Sequence, residues 1–178
     1  MDHLALSSSR LELVEGNIRE RLSGPREHSR IQSNINRCVL PALDERELEF
    51  FGPDQSVRIS LENYFFPDGL IARSEQFGAF RDFDALLNPI VVFEVLSRES
   101  TVHDLATKLP QYRKLMSLQV IIAIDSAQPW IELSTRRSDG SWIVRDLFQN
   151  DELELEVIGL RVPVRELYHR VSFDSAEN

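Results

Sequence analysis

One short run of the sequence limits the possible folds more than any other part. Residues 91–97 read Val-Val-Phe-Glu-Val-Leu-Ser, a β-branched and apolar run with a single carboxylate, and they follow Asn88-Pro89. A run this short and this apolar predicts a strand that is buried on both faces of a sheet. Glu94 is therefore anomalous, because an ionised carboxylate is costly to bury unless it is paired with a cation or bound to a metal.

The sequence after this run predicts a β-α-β unit. Residues 120–125 form a second apolar run, and a helical pattern that contains Lys108 lies between the two runs. A strand, a helix and a second strand in this order would bring Glu94 and Lys108 to the same end of a sheet. Pro110 removes a backbone donor, so the helix either kinks just past Lys108 or begins again there.

Composition indicates one globular domain. A chain of 178 residues with 42% hydrophobic residues is long enough for one sizeable core, so we expect a single domain over residues 1–178, with a flexible start (1–9) and a flexible tail (174–178). The net charge of -9 disfavours nonspecific attachment to nucleic acid or anionic membranes, although a local basic patch can override it. The single cysteine, Cys38, excludes an internal disulfide and favours a reducing compartment. With neither a leader pattern nor a membrane-spanning apolar run, the sequence predicts a cytoplasmic protein without a membrane partner.

The N-terminal part predicts a hairpin that carries an acid. Residues 10–14 and 18–22 form its arms around Glu15-Gly16-Asn17, and Glu12 lies on the first arm. Pro25 then suits the first turn of a helix that runs to about Val39.

The predicted N-terminal helix is amphipathic, with a basic outer face. Arg26, Arg30 and Arg37 lie together on the face opposite the apolar residues. Two interpretations stay open, because these arginines could track a phosphate backbone or form a solvated polar face. His28 could approach a functional site or be a satisfied core histidine.

The remaining segments are short strands and turns. We expect strands within residues 47–60, an apolar segment at 64–72 with Asp68 at its mouth, and an irregular connection at 76–87. We expect a helix start near Ser100 or Thr101, a hairpin of 130–136 with 141–148, a strand at 153–157 and a short closing helix at 162–168.

Three acids stand at or near strand positions, namely Glu12, Asp68 and Glu94, and Lys108 follows the last of them. Converging carboxylates and a lysine suit metal-assisted phosphodiester hydrolysis. Hard oxygen ligands bind Mg²⁺, and the metal neutralises phosphate charge. The lysine can orient or help deprotonate the attacking water and stabilise the transition state. Spacing alone leaves ordinary ion pairs as an alternative, since 28% of the chain is charged.

Nearly the whole chain, from about residue 10 to 173, resembles the Uma-two family of the PD-(D/E)XK nuclease superfamily. No single matching string is specific, but the ordered set is. The matching segments are residues 13–16, 27–31, 64–68, 88–97, 104–108, 112–114, 117–119 and 136–142.

The resemblance implies a fold, an activity and a cofactor. The fold is restriction endonuclease-like, of the α/β (α+β) class, with a mixed central sheet flanked by helices and hairpins at both ends. The activity is endonucleolytic cleavage of nucleic acid, most readily DNA, with Mg²⁺ or Mn²⁺, and a homodimer would suit double-strand cutting. An alternative is a catalytically inactive nuclease-fold protein that serves in binding or assembly.

The resemblance also implies roles for individual residues. Asp68 and Glu94 would be catalytic metal ligands, and Glu12 an accessory metal ligand. The usual position of the superfamily lysine holds Leu96 in this chain, so the following helix would supply the lysine as Lys108. Tyr112, one turn further along, would be an accessory residue.

Overall fold

A computed structural model describes residues 11–21, 24–43, 47–80, 83–97 and 104–173. The expectations for residues 1–9, for residues 174–178 and for a helix start at Ser100 or Thr101 lie outside these ranges. The single-domain extent stays a prediction. Among the described helices, none is both long and apolar enough to cross a lipid bilayer.

The described elements are mostly short strands. In chain order the strands are β1 (Leu11–Val14), β2 (Asn17–Glu20), β3 (Glu49–Phe51), β4 (Val57–Ser60), β5 (Asn63–Phe65), β6 (Gly69–Ala72), β7 (Phe77–Phe80), β8 (Phe83–Leu86), β9 (Pro89–Leu96), β10 (Val120–Asp125), β11 (Trp130–Arg136), β12 (Trp142–Phe148), β13 (Glu152–Leu155) and β14 (Leu160–Pro163). The helical elements are α1 (Arg26–Leu43), a π-helical turn (Asp104–Lys108), α2 (Leu109–Tyr112), a 3-10 turn (Glu156–Ile158) and α3 (Val164–Leu167).

The described strands form two six-stranded sheets and a two-stranded one. The central sheet has the order β12-β11-β10-β9-β6-β3, the second has the order β2-β1-β5-β4-β8-β7, and β13 pairs with β14. Strands β9 and β10 are parallel, while β6 and β11 flank them in antiparallel pairing. The predicted α+β fold with a mixed central sheet and two terminal hairpins is therefore confirmed.

Strand β9 is buried along its whole length, as its composition predicts. Its side chains alternate between two hydrophobic clusters. Val91, Phe93 and Val95 pack against α1 and the C-terminal segment, which is residues 152–173. Val92 and Leu96 pack with β5, β6 and α2. Glu94 shares the face of the second pair, so its carboxylate projects into the cluster that contains α2.

Four local predictions are wrong at their boundaries or in their type. The strand predicted at 153–157 ends at Leu155, because residues 156–158 form the 3-10 turn. Helix α1 continues to Leu43, past Val39 and through Pro41. Burial of Leu43 in the core offsets the backbone hydrogen bond that the proline cannot donate. Residues 76–87 are not irregular but contain the hairpin β7–β8. The closing helix begins only at Val164, because residues 160–163 pair with β13.

The connection from β9 to β10 changes helical geometry next to Pro110. A π-helical turn ends at Lys108, and α2 begins at Leu109 with the proline in its first turn, where no backbone donor is needed. Of the two alternatives that the sequence left open, the helix therefore begins again at this point. The buried side of α2 carries Leu109 and Tyr112.

One arginine of the C-terminal hairpin, which is β11 and β12, binds the loop that joins α2 to β10. Nη1 of Arg136 donates hydrogen bonds to the carbonyl oxygens of Leu115 (2.9 Å) and Met116 (3.0 Å), and Nη2 donates to that of Arg113 (3.1 Å). A single guanidinium on β11 thus binds several carbonyl groups of α2 and the following loop.

Replacing Arg136 with alanine is expected to lower the free energy of unfolding by about 2 kcal/mol, because several part-buried carbonyl hydrogen bonds are lost together. Urea denaturation followed by circular dichroism measures the change. Arg137→Ala is the matched control, since Arg137 is exposed, and it should stay within about 0.5 kcal/mol of the parent. Equal effects of the two substitutions would contradict the assigned role.

Candidate active site

Glu94 is almost fully buried and lies among hydrogen-bond donors. The hydroxyl of Tyr112 donates to its Oε1 at 2.5 Å, and Nζ of Lys108 lies 3.7 Å from the same oxygen. The tyrosine comes from α2 and the lysine from the last residue of the π-helical turn, so both reach the acid from the crossover that follows β9. The cation and the hydroxyl offset the cost of burying this carboxylate.

Glu12 reaches the same lysine from the N-terminal hairpin. Strand β1 turns Glu12 and Val14 inward and leaves Leu11 exposed, so a carboxylate is buried while an apolar neighbour is not. Oε1 of Glu12 accepts hydrogen bonds from Nζ of Lys108 and from the backbone N–H of Phe66, each at 2.9 Å. A buried carboxylate next to an exposed leucine is an exception to the usual burial of apolar residues, and such exceptions are typical of functional positions.

Asp68 precedes β6 and is surrounded by donors. Its Oδ2 accepts the backbone N–H of Val95 at 2.5 Å, which places the carboxylate beside the residue that follows Glu94. Its Oδ1 accepts from Arg21 and from Nε2 of Gln32 at 2.6 Å, and Nε2 of His28 lies 3.4 Å away.

The environment of Asp68 favours the ionised form. Burial raises its pKa, but the hydrogen bond and charge of His28, the charge of Arg21 and the amide of Val95 outweigh burial and hold the pKa at about 2. Burial lowers the pKa of Arg21, yet the charges of Asp68, Glu94 and Glu12 raise it overall. The guanidinium of Arg21 therefore lies in the field of all three acids.

Asp68 lies beside the part of β9 that carries Glu94. The backbone N–H of Asp68 donates to the carbonyl of Phe93 at 2.9 Å, and Oδ2 of Asp68 accepts the backbone N–H of Val95. The charges of both Asp68 and Glu94 raise the pKa of Arg21, so both carboxylates lie near one guanidinium.

The structure brings together most of the side chains that the sequence singled out. These are Glu12, Asp68, Glu94, Lys108 and Tyr112. Their catalytic and metal-binding roles stay predictions, because position alone does not assign chemistry. His28 also belongs to this cluster, because its Nε2 lies 3.4 Å from Oδ1 of Asp68. The interpretation of His28 as a core histidine is therefore wrong, since α1 directs it toward the residue that precedes β6.

Two residues of the cluster were not found from the sequence. Arg21 follows the hairpin and Gln32 lies one helical turn after His28 on α1, and each meets Asp68 across a long sequence separation. The i, i+4 spacing of His28 and Gln32 was the only local signal. Nothing in the sequence around Arg21 distinguishes it from other arginines.

The basic face of α1 packs against the C-terminal segment. Arg30 donates to the carbonyl of Arg170 at 2.5 Å, and Arg37 donates to the carbonyl of Glu166 and lies 3.2 Å from its carboxylate. Arg26 contacts Glu27 on its own helix. These contacts give the arginines a structural role, and nucleic-acid binding by them stays a prediction.

A hard divalent cation fits the donor chemistry of the cluster. Among the described residues, no three Asp, Glu, His or Cys side chains converge to form a metal cage. Mg²⁺ does not need one, because it is usually bound by one or two carboxylates and keeps several waters. Asp68 and Glu94 supply carboxylate oxygens, and Arg21 and Lys108 lie beside them.

Replacing Tyr112 with phenylalanine is expected to lower the free energy of unfolding by about 1.5 kcal/mol, because the buried Glu94 loses a charge-assisted hydrogen bond. Tyr168→Phe is the comparison, since its hydroxyl donates to the neutral carbonyl of Trp130 and should cost less, about 1 kcal/mol. Denaturant titration of both variants gives the two values. The prediction is wrong if the Tyr112 variant is as stable as the parent.

A mixed central sheet flanked by helices, with acids from β1 and β9 beside one lysine and a third acid just before β6, defines the restriction endonuclease-like class. The chain belongs to the Uma2 family, whose model, described as "Putative restriction endonuclease", matches residues 2–165. The resemblance inferred from the sequence is therefore confirmed.

The chain is also similar to individual known proteins. Two uncharacterized proteins of Synechocystis sp., sll1609 and slr1290, are each 27% identical to the chain, over 150 residues (83% of this chain, 85% of the relative) and 163 residues (91% and 85%). A crystal structure of "a putative nuclease belonging to DUF820" from Anabaena variabilis matches with a TM-score of 0.67, 18% identity and coverage of 89% of each chain. This last likeness shows the fold.

Proposed function

We propose that the chain is a metal-dependent endonuclease that hydrolyses phosphodiester bonds in DNA. In this proposal Asp68 and Glu94 hold Mg²⁺ or Mn²⁺, with Glu12 as an accessory acid. The observation that carries it is the position of Lys108, whose Nζ lies 2.9 Å from Glu12 and 3.7 Å from Glu94. Family membership supports a nuclease, and the single cysteine suits action in the cytoplasm.

The side chains of the cluster have separate tasks in this proposal. A bound divalent ion would neutralise phosphate charge and lower the pKa of a bound water. Tyr112 fixes the rotamer of Glu94, and the amide of Phe66 fixes Glu12. Lys108, whose Nζ lies beside two carboxylates, orients or helps to deprotonate the attacking water and stabilises the transition state.

A second candidate function is a nuclease-fold protein that binds or assembles without cutting. The charge balance of the cluster favours it, because Arg21 and Lys108 already pair with the acids, and Asp68, Glu94 and Lys108 are only 2%, 1% and 3% exposed. A substrate must reach the cluster for cleavage to occur. Metal binding without cleavage would select this function.

The decisive experiment is a cleavage assay with purified protein. Plasmid and single-stranded DNA are incubated with Mg²⁺, with Mn²⁺ and with a chelator, using the parent, Glu94→Gln and Glu75→Gln. Glu75 is exposed and serves as the matched acid outside the cluster. We expect metal-dependent cleavage that falls by about 100-fold or more in Glu94→Gln, because a metal ligand is lost, and is unchanged in Glu75→Gln.

Two outcomes would contradict the proposal. Cleavage that survives in Glu94→Gln would point to a contaminating nuclease or to another site. No cleavage of any substrate with either metal, by a folded protein, would favour the binding function. Sedimentation of the same samples tests the proposed homodimer, which would suit double-strand cutting.

A further inference from the structure

Among the described residues, Arg21 is the cation closest to Asp68. It is not one of the residues predicted to bind metal or to take part in catalysis. It follows β2 and donates from Nη2 to Oδ1 of Asp68. The side chain of Asp68 is fully buried, whereas that of Arg21 is 12% exposed, so part of the arginine reaches solvent and the carboxylate does not.

Asp68 has enough hydrogen-bond donors without this arginine. Gln32 and the amide of Val95 donate to its two oxygens at 2.6 and 2.5 Å, and His28 lies 3.4 Å from Oδ1. These contacts satisfy a carboxylate as an acceptor, and neither the amide of Gln32 nor that of Val95 carries a charge. The distinctive contribution of Arg21 is therefore its charge, at a carboxylate whose proposed partner is also a cation.

We propose that Arg21 is a resident counter-cation that competes with the divalent ion for the Asp68 carboxylate. This inference rests on the proposed function and adds a control on its metal site. Arg21 offsets the burial of Asp68 while no metal is bound, and metal binding requires the guanidinium to withdraw from Oδ1. Arg21 is thus a positioning residue that sets the metal affinity, and it supplies no atom to the hydrolysis.

The competition has a measurable consequence for the metal affinity. An ion that binds the parent must displace a guanidinium and then remain close to its charge, and interactions between charges at such distances change equilibria strongly. Replacing Arg21 with glutamine removes that charge and keeps a side chain that can donate. We therefore expect the Kd for Mn²⁺ to fall by about 10-fold or more.

The test measures Mn²⁺ binding to the full chain by electron paramagnetic resonance of the free ion. The variants are Arg21→Gln, Arg19→Gln and Arg21→Gln combined with Asp68→Asn. Arg19 lies exposed on β2, so its substitution makes the same change in net charge two residues away. We expect tighter binding in Arg21→Gln alone, less than about a twofold change in Arg19→Gln, and loss of the gain in the double variant.

The outcomes separate this inference from the proposed function. Mn²⁺ binding that depends on Asp68 but is no tighter in Arg21→Gln than in Arg19→Gln overturns the competition and leaves the metal site standing. Failure of both the parent and Arg21→Gln to bind Mn²⁺ overturns both. Binding by Arg21→Gln alone supports the competition in its strongest form.

A measurement on the parent protein decides the matter if Arg21→Gln does not fold. The side-chain ¹⁵Nε–¹H resonance of Arg21 is followed by NMR during titration with Mg²⁺. Withdrawal of the guanidinium predicts a shift that saturates with the ion, while the resonance of Arg19 stays in place. An Arg21 resonance that does not move while Mg²⁺ binds overturns the inference.

Discussion

Replacing Lys108 with methionine is expected to lower the free energy of unfolding by about 3–5 kcal/mol. Methionine keeps much of the volume and the apolar stem, but it leaves the buried Glu12 and Glu94 without the ammonium that lies 2.9 and 3.7 Å from them. Removing one partner of a buried charge group costs far more than removing a surface pair. Urea denaturation at pH 7 with a chelator present measures the loss without any contribution from metal.

Two further variants separate the charge effect from packing. Lys114→Met makes the same chemical change at an exposed lysine and should stay within about 0.5 kcal/mol of the parent. Adding Glu12→Gln to Lys108→Met removes the stranded charge and should recover about 1–3 kcal/mol, the range of coupling between contacting groups. A double variant no more stable than Lys108→Met would show that the ion pair of Lys108 with Glu12 does not account for the loss of stability.

Replacing Asp68 with asparagine is expected to cost about 3 kcal/mol of stability at pH 7 in the absence of metal. The fall in the pKa of Asp68 from 3.8 to about 2 corresponds to about 2 kcal/mol, and the rest reflects a nearly buried Arg21 that loses its anion. The loss arises because asparagine carries no negative charge and because its amide nitrogen cannot accept a hydrogen bond as the replaced carboxylate oxygen does.

The pH dependence of this loss follows from the sign of the pKa shift. A carboxyl group whose pKa is lower in the folded state stabilises the protein above its unfolded pKa of 3.8, and this contribution disappears as the pH falls through about 2. The stability difference between the parent and Asp68→Asn should therefore be constant above about pH 5 and shrink toward pH 2. A difference that grows on acidification would show that the pKa of Asp68 is raised instead.

The sequence predicted the elements whose apolar pattern is strong. Strand β10 has the predicted bounds, and β9 is buried on both faces with Glu94 in its middle, because a continuous apolar run has few alternatives to a buried parallel strand. The C-terminal hairpin followed from alternating residues around Ser138-Asp139-Gly140. Family resemblance, rather than spacing, selected Asp68 and Lys108 among many charged residues.

The rest depended on contacts that are remote in sequence. Strands β7 and β8 are four residues each, and β8 joins its sheet through a parallel pairing of Leu86 with Val57, so no local pattern marks them. Arg21 and Gln32 acquire their importance only where they meet Asp68, 47 and 36 residues away. A residue of this kind looks like any solvated side chain until its partner is known.

Glu12 and Lys108 are separated by 96 positions, and Asp68 and Glu94 lie between them in the chain. No short fragment holds all of these groups. The proposed chemistry therefore requires the hairpin of β1 and β2 to pack against the π-helical turn that carries Lys108. On the proposed function, a polypeptide still emerging from the ribosome, or one unfolded by heat, does not cleave the nucleic acids around it.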